Sequence, residues 1–203
     1  GFIGLFEDEF PSSMPLGERM SLLNRLAIWA LLKGPVSIEM VAQIFNKEPD
    51  RTKVLVDRYS KWFNSPEPGK FVLYHDRLRT YLLQKLSDHE VQELNETLIS
   101  FLENALNNHE SIEAEFYALE HLSTHMAVES QLNNNYERLN NFVNSEDLWP
   151  RQVKASKEYM WSQKGIHYGI MEGARRHYEI NTLTSTVNSI KLTRVEQSNV
   201  KQI

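Results

Sequence analysis

Apolar residues recur along most of this chain at the three- and four-residue intervals of an amphipathic helix. From Met20, the positions Leu22, Leu23, Leu26, Ala27, Ala30 and Leu31 predict a helix ended by Gly34-Pro35, a glycine followed by a helix breaker. Ser37 is placed to cap a second helix carried by Ile38, Val41, Ala42, Ile44 and Phe45, with a turn from Asn46 to Pro49 behind it. Val54, Leu55, Arg58, Tyr59, Trp62 and Phe63 keep helical spacing, which predicts a third helix from Asp50 to Phe63. The run Asn64-Ser65-Pro66-Glu67-Pro68-Gly69 then predicts a loop, and Phe71 to Tyr74 a short β-strand. Past the strand the period changes. Leu78, Tyr81, Leu82 and Leu86 are helical in spacing, Asp76 is suited to cap or precede that helix, and His75 falls at the strand-to-helix junction.

Beyond Leu86 the pattern is helical throughout. Ser87-Asp88-His89-Glu90 has the form of a capping box, opening a long helix whose stripe is Val91, Leu94, Leu98, Phe101, Leu102, Ala105 and Leu106. Asn107-Asn108-His109 interrupts it, and Ser111 opens another with Ile112, Phe116, Leu119, Leu122, Met126 and Ala127. After Asn133-Asn134-Asn135, shorter segments are expected at Tyr136 to Val143 and Leu148 to Met160. The small and aromatic residues between Trp161 and Tyr178 predict helix-hairpin packing. From Leu183 on, a weak spacing of Leu183, Val187, Ile190 and Val195 in a Thr-, Asn- and Ser-rich segment predicts a fraying end.

The expected fold is therefore mainly α. Helix, helix, helix, loop, strand, helix outlines a winged-helix domain over residues 20–86, and antiparallel helical pairs joined by short loops predict a superhelical, helical-repeat-like domain over 87–203. Residues 1–19 mix aromatic residues, acids, Pro11, Pro15 and Gly17 and read as a linker from a missing upstream domain. With no initiator methionine, Gly1 reads as the start of a piece cut from a longer protein.

Composition adds a charge division. The 203 residues carry a net charge of -5. Residues 21–86 hold eleven Lys/Arg against six Asp/Glu, while 87–203 hold ten against seventeen. A basic block joined to an acidic one fits two structural units, the basic one suited to phosphate. There is no cysteine, which removes disulfides, thiol nucleophiles and cysteine metal sites together. No apolar run reaches the roughly 20 residues that span a bilayer, and the start lacks the basic region of a signal peptide, so a cytoplasmic protein with no membrane partner is expected.

Candidate chemistry is sparse, and no catalytic residue is expected. Taken alone, His75 reads as a junction histidine that bonds backbone and fixes the turn. Arg51, Lys53, Arg58, Lys61 and Lys70 are candidate contacts to nucleic-acid phosphates, opposed by Asp50 and Asp57 and by Trp62 and Phe63, which read as core. His121 and His125 stand four apart, as zinc ligands can, but two imidazoles are half a site and no H-E-x-x-H surrounds them, so no metal is expected. None of the eight glycines opens the run G-x-x-x-x-G-K-[ST] that cradles phosphate.

The winged-helix outline and the junction Leu73-Tyr74-His75-Asp76-Arg77-Leu78 together resemble the STAND-class signalling nucleotidases, the NACHT and NB-ARC group. The family's Met-His-Asp motif lies at this point of its winged helix and here reads Tyr74-His75-Asp76, with Tyr in place of Met. Arg79-Thr80-Tyr81-Leu82 is similar to the helix start behind that motif, and Phe116 to Met126 resembles the Tyr-x-x-x-His-Leu helix of the following helical domain. The resemblance covers roughly residues 20–145. It implies that His75 contacts the β-phosphate of ADP held by an upstream nucleotide-binding domain, with Asp76 supporting the loop. It implies ATP/ADP and Mg in the full-length parent, no cofactor in this piece, and protein partners or self-assembly as output. A DNA-binding regulator with a helical dimerisation or sensing domain, and a helical-repeat adaptor, are the alternative readings.

Overall fold

The computed structural model describes residues 13–133 and 135–200, and its fold is mainly helical with one small sheet. The chain divides into two compact units, residues 1–98 and 99–203. Residues 1–12 of the expected linker lie outside the described residues, and the first helix already begins at Leu16.

In the first unit, α1 (Leu16–Leu31) buries every residue from Leu26 to Leu31, adding Ile28 and Trp29 to the face that the apolar stripe predicts. It is followed by β1 (Val36–Ser37), a two-residue strand the periodicity does not reveal. The side chain of Ser37 accepts the amide of Met40 at 3.0 Å and starts α2 (Ile38–Ile44) as expected. α3 (Pro49–Arg58) is shorter than the sequence predicts. A single 3-10 turn (Ser60–Trp62) ends the helical run, and Phe63 opens β2 (Phe63–Glu67) in place of closing a helix. The reason is pairing. Phe63 stands opposite Leu73 of β3 (Lys70–Leu73), with its ring edge-on to Trp29 at 5.1 Å between centroids. Helical spacing of Tyr59, Trp62 and Phe63 cannot distinguish this from one more turn of helix. The predicted loop is thus mostly strand, with the hairpin turning at Gly69, whose φ of 77° suits glycine.

The sheet is antiparallel, in the order β1-β3-β2, with Val36 opposite Phe71 and Ser37 opposite Lys70. Behind it comes α4 (Asp76–Leu83), which buries Leu78 and Leu82 and packs on α1. Trp29, Tyr59, Leu26, Ile28, Leu32, Met40, Leu78 and Leu82 are among the largest fully buried side chains, each contributing about 1.5–3 kcal/mol by leaving water.

Then α5 (Asp88–Asn108) begins at the predicted capping box, and the division between the units falls inside it. The amide of Ser87 donates to Glu90 at 2.7 Å and that of Glu90 to the Ser87 hydroxyl at 3.3 Å. In the second unit, α6 (Ile112–Asn133) is capped by Ser111 as expected. It is followed by α7 (Tyr136–Val143), α8 (Leu148–Ser156), α9 (Met160–Arg175) and α10 (Glu179–Val200). The expected segment from Leu148 to Met160 breaks at Lys157, in the left-handed region with φ of 64°. Through residue 200 the segment expected to fray is helical, with Ser185 and Leu192 buried on its inner side. In place of a strictly sequential stack, α9 meets α6, α7, α8 and α10. Gly165, Gly169 and Gly173, one turn apart, allow it. Added β-carbons would meet Val143 and Ser123, then Val143 and Ser185, then Tyr136 and Thr182, within 2.6–3.6 Å.

Candidate functional site

The junction between β3 and α4 is the candidate site. The amide of Tyr74 still donates to the Trp62 carbonyl at 3.0 Å, continuing the ladder past the end of β3. His75 then turns the chain with extended dihedrals, φ -146° and ψ 134°, and serves as the N-cap of α4. Its Nδ1 accepts the amide of Arg77 at 3.0 Å, and its carbonyl accepts the amides of Leu78 and Arg79 at 3.0 and 3.3 Å. A neutral imidazole whose Nδ1 accepts carries its proton on Nε2. The ring is exposed and stands edge-on to Tyr74, 5.9 Å between centroids.

Asp76 does not cap the helix; His75 does. Asp76 is the first helical residue, where the positive end of the helix dipole favours a carboxylate, and its side chain is fully exposed. One of its oxygens stands 3.7 Å from Nε of Arg79. Arg79 turns the other end of its guanidinium inward. Its Nη1 donates to the carbonyl of Leu32, with those of Trp29 and Ala30 at 3.4 Å, so the open carbonyls at the end of α1 are closed by a cation. This holds the start of α4 against α1 and gives the junction a rigid base.

The five candidate nucleic-acid contacts are not gathered into one patch. Arg51 and Arg58 share one side of α3, whereas Lys53 lies across the helix with Asp50 and Asp57, and Val54 between them is 66 % exposed. Arg58 stands over the ring of Tyr59 at 5.5 Å. Lys61 is in the 3-10 turn, and Lys70 is paired with Glu67 at 2.8 Å. Arg51 instead borders a small cavity of about 10 Å³ with two cations that sequence reasoning missed, Arg25 of α1 and Lys47 of the α2–α3 turn, and with Trp29, Val41, Phe45 and Leu55. No signal in the sequence joins positions 25, 47 and 51; only the packing of α1 against the helix pair does.

In the second unit, His125 is buried and its Nε2 lies 3.1 Å from the Tyr117 hydroxyl, while the His121 ring is tilted against that of Tyr117 with 4.6 Å between centroids. Among the described residues no group of three His, Asp or Glu is placed to hold a metal. Nor is any helix among them long and apolar enough to cross a membrane. Two acids form buried polar nodes. Glu129 receives Arg138 at 3.1 Å, which also grips Glu103 with two bonds of 2.9 and 2.6 Å. Glu172 receives Gln131 at 2.7 Å and Arg175 at 2.6 Å.

No protein-family model, no curated protein and no solved structure matches the chain.

Proposed function

We propose that this chain is the regulatory winged-helix and helical part of a STAND-type, nucleotide-switched signalling protein. On this reading the order helix, strand, helix, helix, strand, strand, with its β1-β3-β2 sheet, is the winged helix. The observation that carries the reading is His75: an exposed imidazole at the N-terminus of α4, its Nδ1 engaged by the Arg77 amide, which in the neutral ring puts the proton on Nε2. Such a donor suits a phosphate oxygen, and the positive end of α4 lies at the same place.

The role is regulatory rather than catalytic. ADP with Mg in an upstream nucleotide-binding domain would be held partly through His75, with Asp76 beside it, and the closed state would persist while that contact lasted. Exchange to ATP removes the contact, the winged helix swings, and the helical part carries the motion to protein partners or to assembly. The test is made in the parent protein. His75→Ala and Asp76→Ala should lower the ADP retained on purification and raise the assembled fraction; unchanged ADP and an unchanged monomer overturn the reading. Absence of a P-loop region encoded upstream of Gly1 overturns it as well.

A second reading has its own observation. Arg25, Lys47 and Arg51 border one small cavity, which sets three cations near one another as a DNA-binding regulator would use them. DNA binding that falls steeply with salt and is lost in Arg51→Ala would support it.

A further inference from the structure

Arg25 and Trp29 stand one turn apart on α1, and Arg51 and Leu55 one turn apart on α3, so each pair shares a helix face. The turn between α2 and α3 brings Lys47 to the same place. Asn46 takes the left-handed region there, with φ of 50°, and the amide of Lys47 donates to the Ala42 carbonyl at 2.9 Å. Together with Thr52 these residues border the small cavity of the first unit. Every polar side chain in its lining carries hydrogen-bond donors: two guanidiniums, an ammonium, a hydroxyl and an indole N–H. The neighbouring acids in the chain, Glu48 and Asp50, are exposed and do not line it. Trp29 is 1 % exposed, and its Nε1–H is buried with no acceptor among the described residues. A buried donor left without a partner calls for something that fills the place beside it.

We propose that this cavity is the floor of a binding site for one small oxyanion of the phosphate class, held by Arg25, Lys47 and Arg51 with the Thr52 hydroxyl, and with the Trp29 indole as its buried donor. The lining selects the sign of the ligand. A cation would meet three like charges. A water would bring two donors of its own and find only the Thr52 oxygen as a side-chain acceptor. An oxyanion is all acceptor, and guanidinium and ammonium groups give it charge-assisted bonds. Size then sets how it sits. A volume of about 10 Å³ takes a single water-sized atom, so one oxygen enters and the others stay at the mouth, where Lys47 and Arg51 are exposed. The inference rests on the same cations as the DNA-binding reading and differs from it in the ligand, a single small anion in place of a duplex. It does not use the nucleotide switch.

The test uses the whole chain and inorganic phosphate at constant ionic strength. The four tryptophans give four indole N–H signals in a proton–nitrogen correlation spectrum, and the assigned Trp29 signal is the reporter. Phosphate should shift it along one saturable curve with Kd below about 1 mM. Arg25→Gln and Arg51→Gln should each raise that Kd at least about 10-fold, while Lys53→Gln, across α3, should leave it unchanged. Arg51 and Lys53 are both exposed, so this pair of variants keeps the fold. No saturable shift by about 10 mM phosphate overturns the proposal. So does a Kd that is the same in Arg51→Gln and Lys53→Gln, or an equal response to sodium chloride. A DNA duplex serves as the second arm: duplex binding while phosphate leaves the Trp29 signal still overturns the oxyanion site and keeps the DNA reading, and phosphate binding without duplex binding upholds the site and removes that reading.

Discussion

Arg79 of α4 donates to the carbonyl of Leu32 at the end of α1, forty-seven residues earlier in the chain. This contact joins the candidate site to the core of the first unit, and it separates Asp76 from Arg79 by what they do. Arg79 is largely buried among carbonyls, while Asp76 is fully exposed. Replacing Arg79 by Met should lower unfolding free energy by about 2 kcal/mol, the scale of a hydrogen bond from a charged group, whereas Asp76→Asn should leave it nearly unchanged. Urea denaturation of both variants checks the contrast; equal effects would refute it.

His75 has two separable duties. His75→Ala removes the cap from the Arg77 amide and should cost about 1 kcal/mol. Asparagine caps well, so His75→Asn should restore most of that stability while leaving no imidazole for a phosphate. If the parent protein keeps its ADP in His75→Asn, the ring is only a cap.

Three glutamates give the pH dependence two opposite signs. The hydrogen bond from His109 holds the Glu115 carboxyl below its ordinary value of 4.5, against the effect of partial burial and with help from Arg151. Folding therefore gains from ionised Glu115 above about pH 4.5, and the gain is lost as pH falls through its lowered value. The Ser87 amide and hydroxyl lower Glu90 in the same way. Burial raises Glu120, only partly opposed by Lys164, so its ionisation on going to neutral pH works against folding. Glu115→Gln should flatten the acid limb of the stability–pH curve, and Glu120→Gln should raise stability modestly at pH 7 and hardly at pH 3. Thermal melts across pH 3–7 read both slopes.

Gly169 sets how closely α9 approaches its neighbours. A β-carbon there would lie 2.9 Å from Cγ2 of buried Val143 and 3.0 Å from the Ser185 hydroxyl. Despite alanine's better helix propensity, Gly169→Ala should destabilise by about 1–3 kcal/mol. Val143→Ala in the same chain should recover part of the loss if the clash is the cause.

Much of the helical framework can be read from periodicity and caps, since Ser37, the Ser87–Glu90 box and Ser111 act where their side chains reach the nearest amides. The strands are another matter. β1 has two residues and no period of its own; it exists because Val36 and Ser37 lie beside Phe71 and Lys70. Phe63 reads as helix until Leu73 pairs with it. The cavity bordered by Arg25, Lys47 and Arg51 and the closure of α1 by Arg79 were beyond reach for the same reason, joining positions far apart in the chain.

The sequence by itself determined the mainly helical character, the position of most helix starts and the placing of His75 at a strand-to-helix junction. These depend on interactions within one turn, where spacing alone brings groups together. Only the tertiary structure decided that the segment after Leu183 continues as helix through residue 200 and that Ile180, Leu183, Val187 and Ile190 face outward. Each of those turns on which neighbour fills the space beside a side chain, and that neighbour is supplied by packing.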